Sequence, residues 1–151
     1  MNRYLVYWWL AFCLQILAIA TAIKFGLYER IIGIDPTHIT TLIASLHVIA
    51  TMLIGWSIWK GKTIFAEALY WSAQTQLGLG IVGTLAGFMM ILDVAFGTGM
   101  GGDIEAIKHS ISIIVLGLGI SIRCTLLGII SNILINGQLA ILETKIDDQT
   151  S

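Results

Sequence analysis

The sequence predicts an all-α, polytopic membrane protein with four transmembrane helices. Three observations carry that expectation. Hydrophobic residues make up 57% of the 151 positions and charged residues only 11%, whereas soluble domains carry about 25% charged residues. Charge-free runs extend over Tyr4–Ile23, Pro36–Trp59 and Ala68–Leu92, and a fourth over His109–Leu142 is broken only by Arg123. A helix needs about 20 apolar residues to cross a bilayer, so four spans use almost the whole chain. The expected unit is a single membrane domain, 1–151, with helices at about 4–26, 36–59, 68–96 and 107–142.

Each element has its own local signals. Ala18-Ile19-Ala20 has the small-x-small look of a signal-peptidase site. The run before it is long and opens on Tyr4, Tyr7, Trp8 and Trp9, so it reads as an uncleaved first helix. Asp35 and Pro36 suit the cap and first position of the second helix. Lys60 to Glu67 form a short, mildly polar connection, and "GTGMGGD" (97–103) has the glycine content of a flexible link. The last helix extends toward the cytoplasm, and the tail "TKIDDQTS" is polar and expected to fray.

If the chain weaves back and forth, all five tryptophans gather at one end. Trp8 and Trp9 open the first span, Trp56 and Trp59 close the second, and Trp71 leads into the third. Tryptophan and tyrosine favour the headgroup level, and lysine and arginine the cytoplasmic flank. Arg3, Lys60 and Lys62 accompany the aromatic belt, which places both termini in the cytoplasm.

The net charge of −1 gives no electrostatic basis for a nucleic-acid partner. Cys13 and Cys124 lie inside apolar segments and suggest neither a disulfide framework nor a zinc site. No nucleotide loop or soluble enzyme fold is legible, so no catalytic residue, metal or cofactor is expected.

Glycine weakens a helix by about 1 kcal/mol relative to alanine, yet "GIVGTLAGFMMI" (80–91) carries three of them. Helices in lipid associate through small residues that let backbones approach. Gly83 and Gly87 form a GxxxG pair, and Gly80, Thr84, Gly87 and Ile91 share one stripe at helical spacing. In the fourth span Ser110, Gly117, Ser121, Thr125, Gly128 and Asn132 fall on about one third of the circumference. Such faces serve tight packing. The ladder Ser121, Thr125, Asn132 is more polar than packing requires and suits a wet or proton-accessible seam.

"GIVGTLAG" resembles the GLLGTVxG signature of the MotA/TolQ/ExbB proton-channel family through Gly80, Gly83, Thr84 and Gly87. "CTLLGI" resembles the family's T-x-x-G-aliphatic pattern through Thr125 and Gly128. The resemblance covers about residues 68–137. It implies a homopentameric ring in a bacterial inner membrane around a single-span partner of the MotB/TolR/ExbD type. An aspartate on that partner would carry protons, with Thr84 and Thr125 lining the path, and ion flow would drive rotation. The chain departs from the family in lacking a large domain between the second and third spans, in having Ile120 where some members place an acidic residue, and in having no proline in the last helix. The competing class is a non-conducting membrane scaffold or a holin-like lesion former.

Charges within spans are functional candidates by default. Arg123 lies about 200° around the helix from Ser121 and Thr125, so a snorkelling contact to inner-leaflet lipid is expected. Asp93 falls near a helix end and reads as interfacial. His47 aligns with Thr40 and Thr51 and reads as a satisfied histidine between helices or a proton relay, with Gln15 as a possible partner.

Overall fold

Local sequence sets where the helices stop. The computed structural model describes residues 3–26, 38–61, 66–97 and 104–150. These form α1 (Arg3–Lys24), α2 (Ile39–Lys60), α3 (Ala66–Gly97) and α4 (Ile104–Thr150). Beyond α1, Gly26 takes φ +67° and its N–H bonds to Ile23 O at 2.9 Å. Gly61 ends α2 in the same way, at φ 65°, with its N–H on Ser57 O at 2.9 Å. A left-handed residue at this position closes the last turn, and glycine adopts it without a Cβ penalty. The Asp35-Pro36 start and most of the 97–103 link lie outside the described residues.

All four helices are long and apolar enough to cross a membrane. The described chain is therefore an all-α bundle with candidate spans in the predicted order. The expected end-to-end alternation is present. At one end Arg3 pairs with Asp148, which also accepts a bond from the Tyr4 hydroxyl. There too Tyr70 Oη donates to Glu143 Oε1 at 2.8 Å, and Lys145 Nζ donates to Ile58 O. The starts of α1 and α3 thus meet the ends of α2 and α4. Lys145 is only 5% exposed and sits where the carbonyls of α2 end, a position that favours a cation.

These contacts correct the expectation of a frayed tail, because α4 runs on to Thr150. A polar tail was expected to fray for want of partners, and Asp148 and Lys145 have partners supplied by α1 and α2. A second correction concerns the aromatic belt. Trp9, Trp59 and Trp71 are more than half exposed, but Trp8 is 6% exposed and lies inside the bundle. Its indole stacks on Phe12, centroids 5.3 Å apart, and covers the bare backbone of Gly55.

Helix length makes the bundle uneven. At 1.5 Å per residue α1 and α2 are each about 33 Å long, α3 about 48 Å and α4 about 70 Å. The shorter pair is aligned with the Asp148 end of α4: α2 begins beside Cys124, whose Sγ lies 3.7 Å from Thr40 Oγ1. From that level toward Asp148 four helices pack together. Toward Ile104 the α3–α4 hairpin continues, with Gly117 still in contact with Gly87 and Ile91. The apolar core occupies the four-helix part, where Trp8, Ile54, Ile58, Leu69, Ile135 and Leu139 cluster.

Two glycines give opposite expectations. A Cβ on Gly55 would come within 2.6 Å of Trp8 Cη2, while one on Gly78 meets nothing within 4 Å. Gly55→Ala should lower the unfolding free energy by about 1–3 kcal/mol through overpacking. Gly78→Ala should leave it equal or raise it by up to about 1 kcal/mol through helix propensity. Reversible unfolding in detergent micelles measures both.

Candidate functional site

The glycine stripes pack against each other within one chain. A Cβ on Gly80 would lie 2.9 Å from Cys124 O and 3.3 Å from Gly128 Cα. One on Gly128 would lie 2.8 Å from Gln76 O, and one on Gly117 2.7 Å from Gly87 O. Gly83 faces the Cys124 side chain, with Sγ at 2.6 Å from the Cβ position. At each place a side chain would have to occupy the partner helix's backbone or the base of its side chain. The backbones of α3 and α4 therefore run in contact from Gln76 to Gly87 and from Gly117 to Gly128.

The hydroxyls gather inside this seam. The Thr84 and Thr125 hydroxyls meet. Thr84 Oγ1 also reaches Gly80 O at 3.0 Å and Ser121 O at 3.3 Å. Thr125 Oγ1 donates to Ser121 O at 2.9 Å, and Ser121 Oγ lies 3.0 Å from both Thr84 O and Gly117 O. A hydroxyl has one proton and two lone pairs, so these three side chains have more acceptors in reach than protons to give. Their donors can switch acceptors without moving the helices.

Three of the four residues expected on an ion path thus come together, and Asn132 does not join them. It lies farther along the same seam, about two turns past Thr125, where Nδ2 donates to Ala73 O at 2.8 Å. Its Oδ1 accepts from Asn136 Nδ2 at 3.1 Å. Its geometry is that of a clamp on the α3 backbone.

Arg123 stands apart from these hydroxyls. Its guanidinium folds back along α4, with Nη2 3.8 Å from a Cβ position on Gly119. Helical side chains lean toward the helix N-terminus, and this one follows that lean. Its backbone lies level with the start of α2, beside Cys124. Asp93 is exposed near the end of α3.

His47 forms a second polar group, in the four-helix part. Its Nε2 lies 3.3 Å from Gln15 Oε1 on α1, the pairing the sequence suggested. Gln76 of α3, 0% exposed, lies beside the ring, and Gln138 of α4, 1% exposed, holds Thr51 Oγ1 at 3.4 Å. Sequence reasoning missed both glutamines. Gln76 is four residues before Gly80 on the same stripe, and Gln138 continues the Ser131–Ile135 face of α4, so helical spacing was a signal for each. His47 Nδ1, Gln76 Oε1 and Gln138 Oε1 are buried without a hydrogen-bond partner among the described residues. An unsatisfied buried polar atom costs about 1–3 kcal/mol.

No three His, Cys, Asp or Glu side chains of the described residues are close enough to hold a metal ion. Apart from Lys145 at one end, the polar side chains in the described interior are mainly hydroxyls, amides and the His47 imidazole, all of which can hydrogen-bond water. Compared with protein-family models, curated proteins and solved structures, the chain matches none.

The seam makes a direct prediction. A Cβ on Gly87 alone would meet Ser121 Oγ and Gly117 O, so Gly87→Leu should force α3 and α4 apart. The cost is at least about 1–3 kcal/mol, equivalent to a fall of about 2–12 °C in the midpoint of thermal unfolding for a chain this size. Gly78→Leu, which enters open space, should shift it little. Circular-dichroism melts in micelles compare the two.

Proposed function

We propose that this chain is a subunit of a proton-conducting membrane complex, and that protons pass along the α3–α4 seam at Thr84 and Thr125. One observation carries the reading: the two hydroxyls meet, with the Ser121 hydroxyl one turn away, in a seam walled by glycine backbone and apolar side chains. The pair contains no titratable group, so the reading requires a carboxylate from a second polypeptide. A single-span partner with an aspartate at this depth would supply it. An apolar ring would raise that carboxylate's pKa and favour its protonated form. The threonines would then accept and return hydrogen bonds as the proton leaves. This is the arrangement implied by the resemblance to MotA, TolQ and ExbB: a pentameric ring in a bacterial inner membrane that turns ion flow into work.

The seam also shapes what a ring contact would use. Gly80, Gly83, Gly87, Gly117 and Gly128 are occupied within the chain. Contacts between copies would instead draw on exposed apolar faces, such as Leu85, Phe88 and Met89 on α3 and Val115, Leu118 and Ile122 on α4. These faces equally suit lipid.

A second reading is a scaffold that conducts nothing. It is favoured by the saturation of the seam hydroxyls, since Thr84, Ser121 and Thr125 each have a backbone carbonyl in range. Proton flux separates the two readings. The complex purified from native membranes is placed in proteoliposomes with a pH-sensitive dye. Thr84→Val and Thr125→Val should each fold and assemble yet lose about a hundredfold or more in flux, the lower end of what one removed proton-handling group costs. Unchanged flux in both variants would leave the scaffold.

A further inference from the structure

We propose that Gln15, His47, Gln76 and Gln138 enclose a hydrated proton-binding site inside the four-helix part of the bundle. Water is its resident ligand and His47 its protonatable group. Each of the four helices contributes one of these side chains. The inference shares proton chemistry with the seam but uses neither its residues nor a partner, so it stands or falls separately.

The unsatisfied atoms are complementary to water. Two are amide oxygens that need donors, Gln76 Oε1 and Gln138 Oε1, and the third is a ring nitrogen, His47 Nδ1. Buried water typically makes about three hydrogen bonds to groups that the protein leaves unpaired. The direct contacts in the layer are long: 3.3 Å for His47 to Gln15, and 3.4 Å for Gln138 to Thr51 and for Gln76 to Ser72. These side chains approach one another without closing, as they would around small molecules held between them.

A mostly apolar groove borders the layer on its lipid side. Only Tyr4 and Trp8 of α1 are buried, both in its first two turns, so α1 rests on the bundle by one end. Beyond them a groove of about 690 Å³ separates α1 from α4, and Gln15, His47 and Gln138 are its polar lining. Ala18, Ala22 and Gly137 keep it open, and a Cβ on Gly137 would meet nothing within 4 Å.

The tautomer follows from the partners. Gln15 Oε1 accepts, so Nε2 carries the hydrogen, and Nδ1 is the bare nitrogen facing the layer. A hydrated proton transfers to Nδ1 and leaves neutral water behind. The imidazolium keeps its Nε2–H on Gln15 and gains an Nδ1–H for Gln76 Oε1 or water to accept. Release reverses the step. The described groups facing His47 are all uncharged: Gln15 from α1, Gln76 from α3, Gln138 from α4, with Thr51 one turn along on α2. The nearest charges along α4 are Arg123 by the start of α2 and, toward its end, Glu143, which Tyr70 holds, followed by Lys145.

Solid-state NMR of the full chain in bilayers tests this, with ¹⁵N-labelled histidine and with His38→Gln and His109→Gln leaving His47 as the one imidazole. The ring should receive magnetisation from water, and should pass from an Nε2–H tautomer to imidazolium as pH falls between about 9 and 4, a range that brackets an ordinary imidazole. Gln76→Leu combined with Gln138→Leu, which removes both amide oxygens, should abolish most of the water transfer while the helix signals remain. A ring that is dry, or that stays neutral throughout the range, overturns the site. Undiminished water transfer in the double variant overturns it as well.

Discussion

The contact between the backbones of α3 and α4 is the constraint on which the rest of the structure depends. Lipid tails are as apolar as leucine, so hydrophobicity gives these helices little reason to pair. Gly80 against Cys124 O and Gly128, and Gly117 against Gly87 O, bring peptide groups to distances that no side chain permits. The helices then meet along most of their described length, and shorter elements can be laid against them. α2 packs where Thr40 reaches Cys124 and Lys145 closes its last turn. α1 is held at one end by Trp8 over Gly55 and by Asp148. The hydroxyl cluster is a consequence of the same approach, because Thr84 and Thr125 can meet only where the backbones are already touching.

The order of attachment explains where polar chemistry collects. The seam offers a narrow line of hydroxyls, each within reach of a carbonyl. The four-helix part offers amides and an imidazole that remain partly unsatisfied. The first is tightly packed, and the second is looser. Two polar sites of different character in one small bundle suit a protein that handles protons rather than one that only fills space, and the seam alone would also serve a scaffold.

Much of the fold was legible because it depends on short-range periodicity. Charge-free runs located all four helices, and the 3.6-residue period placed Gly80, Thr84 and Gly87 on one face and Gly117, Ser121, Thr125 and Gly128 on another. Alternation of spans gathered Trp9, Trp59 and Trp71 at one end. What escaped depended on a residue far away in sequence. Trp8 is interior because Gly55 leaves room for its indole, and the tail is helical because Asp148 and Lys145 find partners in α1 and α2. Gln76 and Gln138 stood on readable stripes, but an amide in an apolar run shows its importance only when its neighbours prove unable to satisfy it. The direction of Arg123 follows from the lean of helical side chains, a local rule.

The central claim is that α3 and α4 of one chain meet at Thr84 and Thr125. A disulfide tests it most directly, since its Cα atoms must lie within about 7 Å of each other. Thr84→Cys and Thr125→Cys would be combined with Cys13→Ala and Cys124→Ala, and the protein oxidised mildly in native membranes. The account predicts a disulfide within a single chain, seen as a reducible shift in mobility at monomer mass. A disulfide formed only between two chains, or none at all, would contradict it.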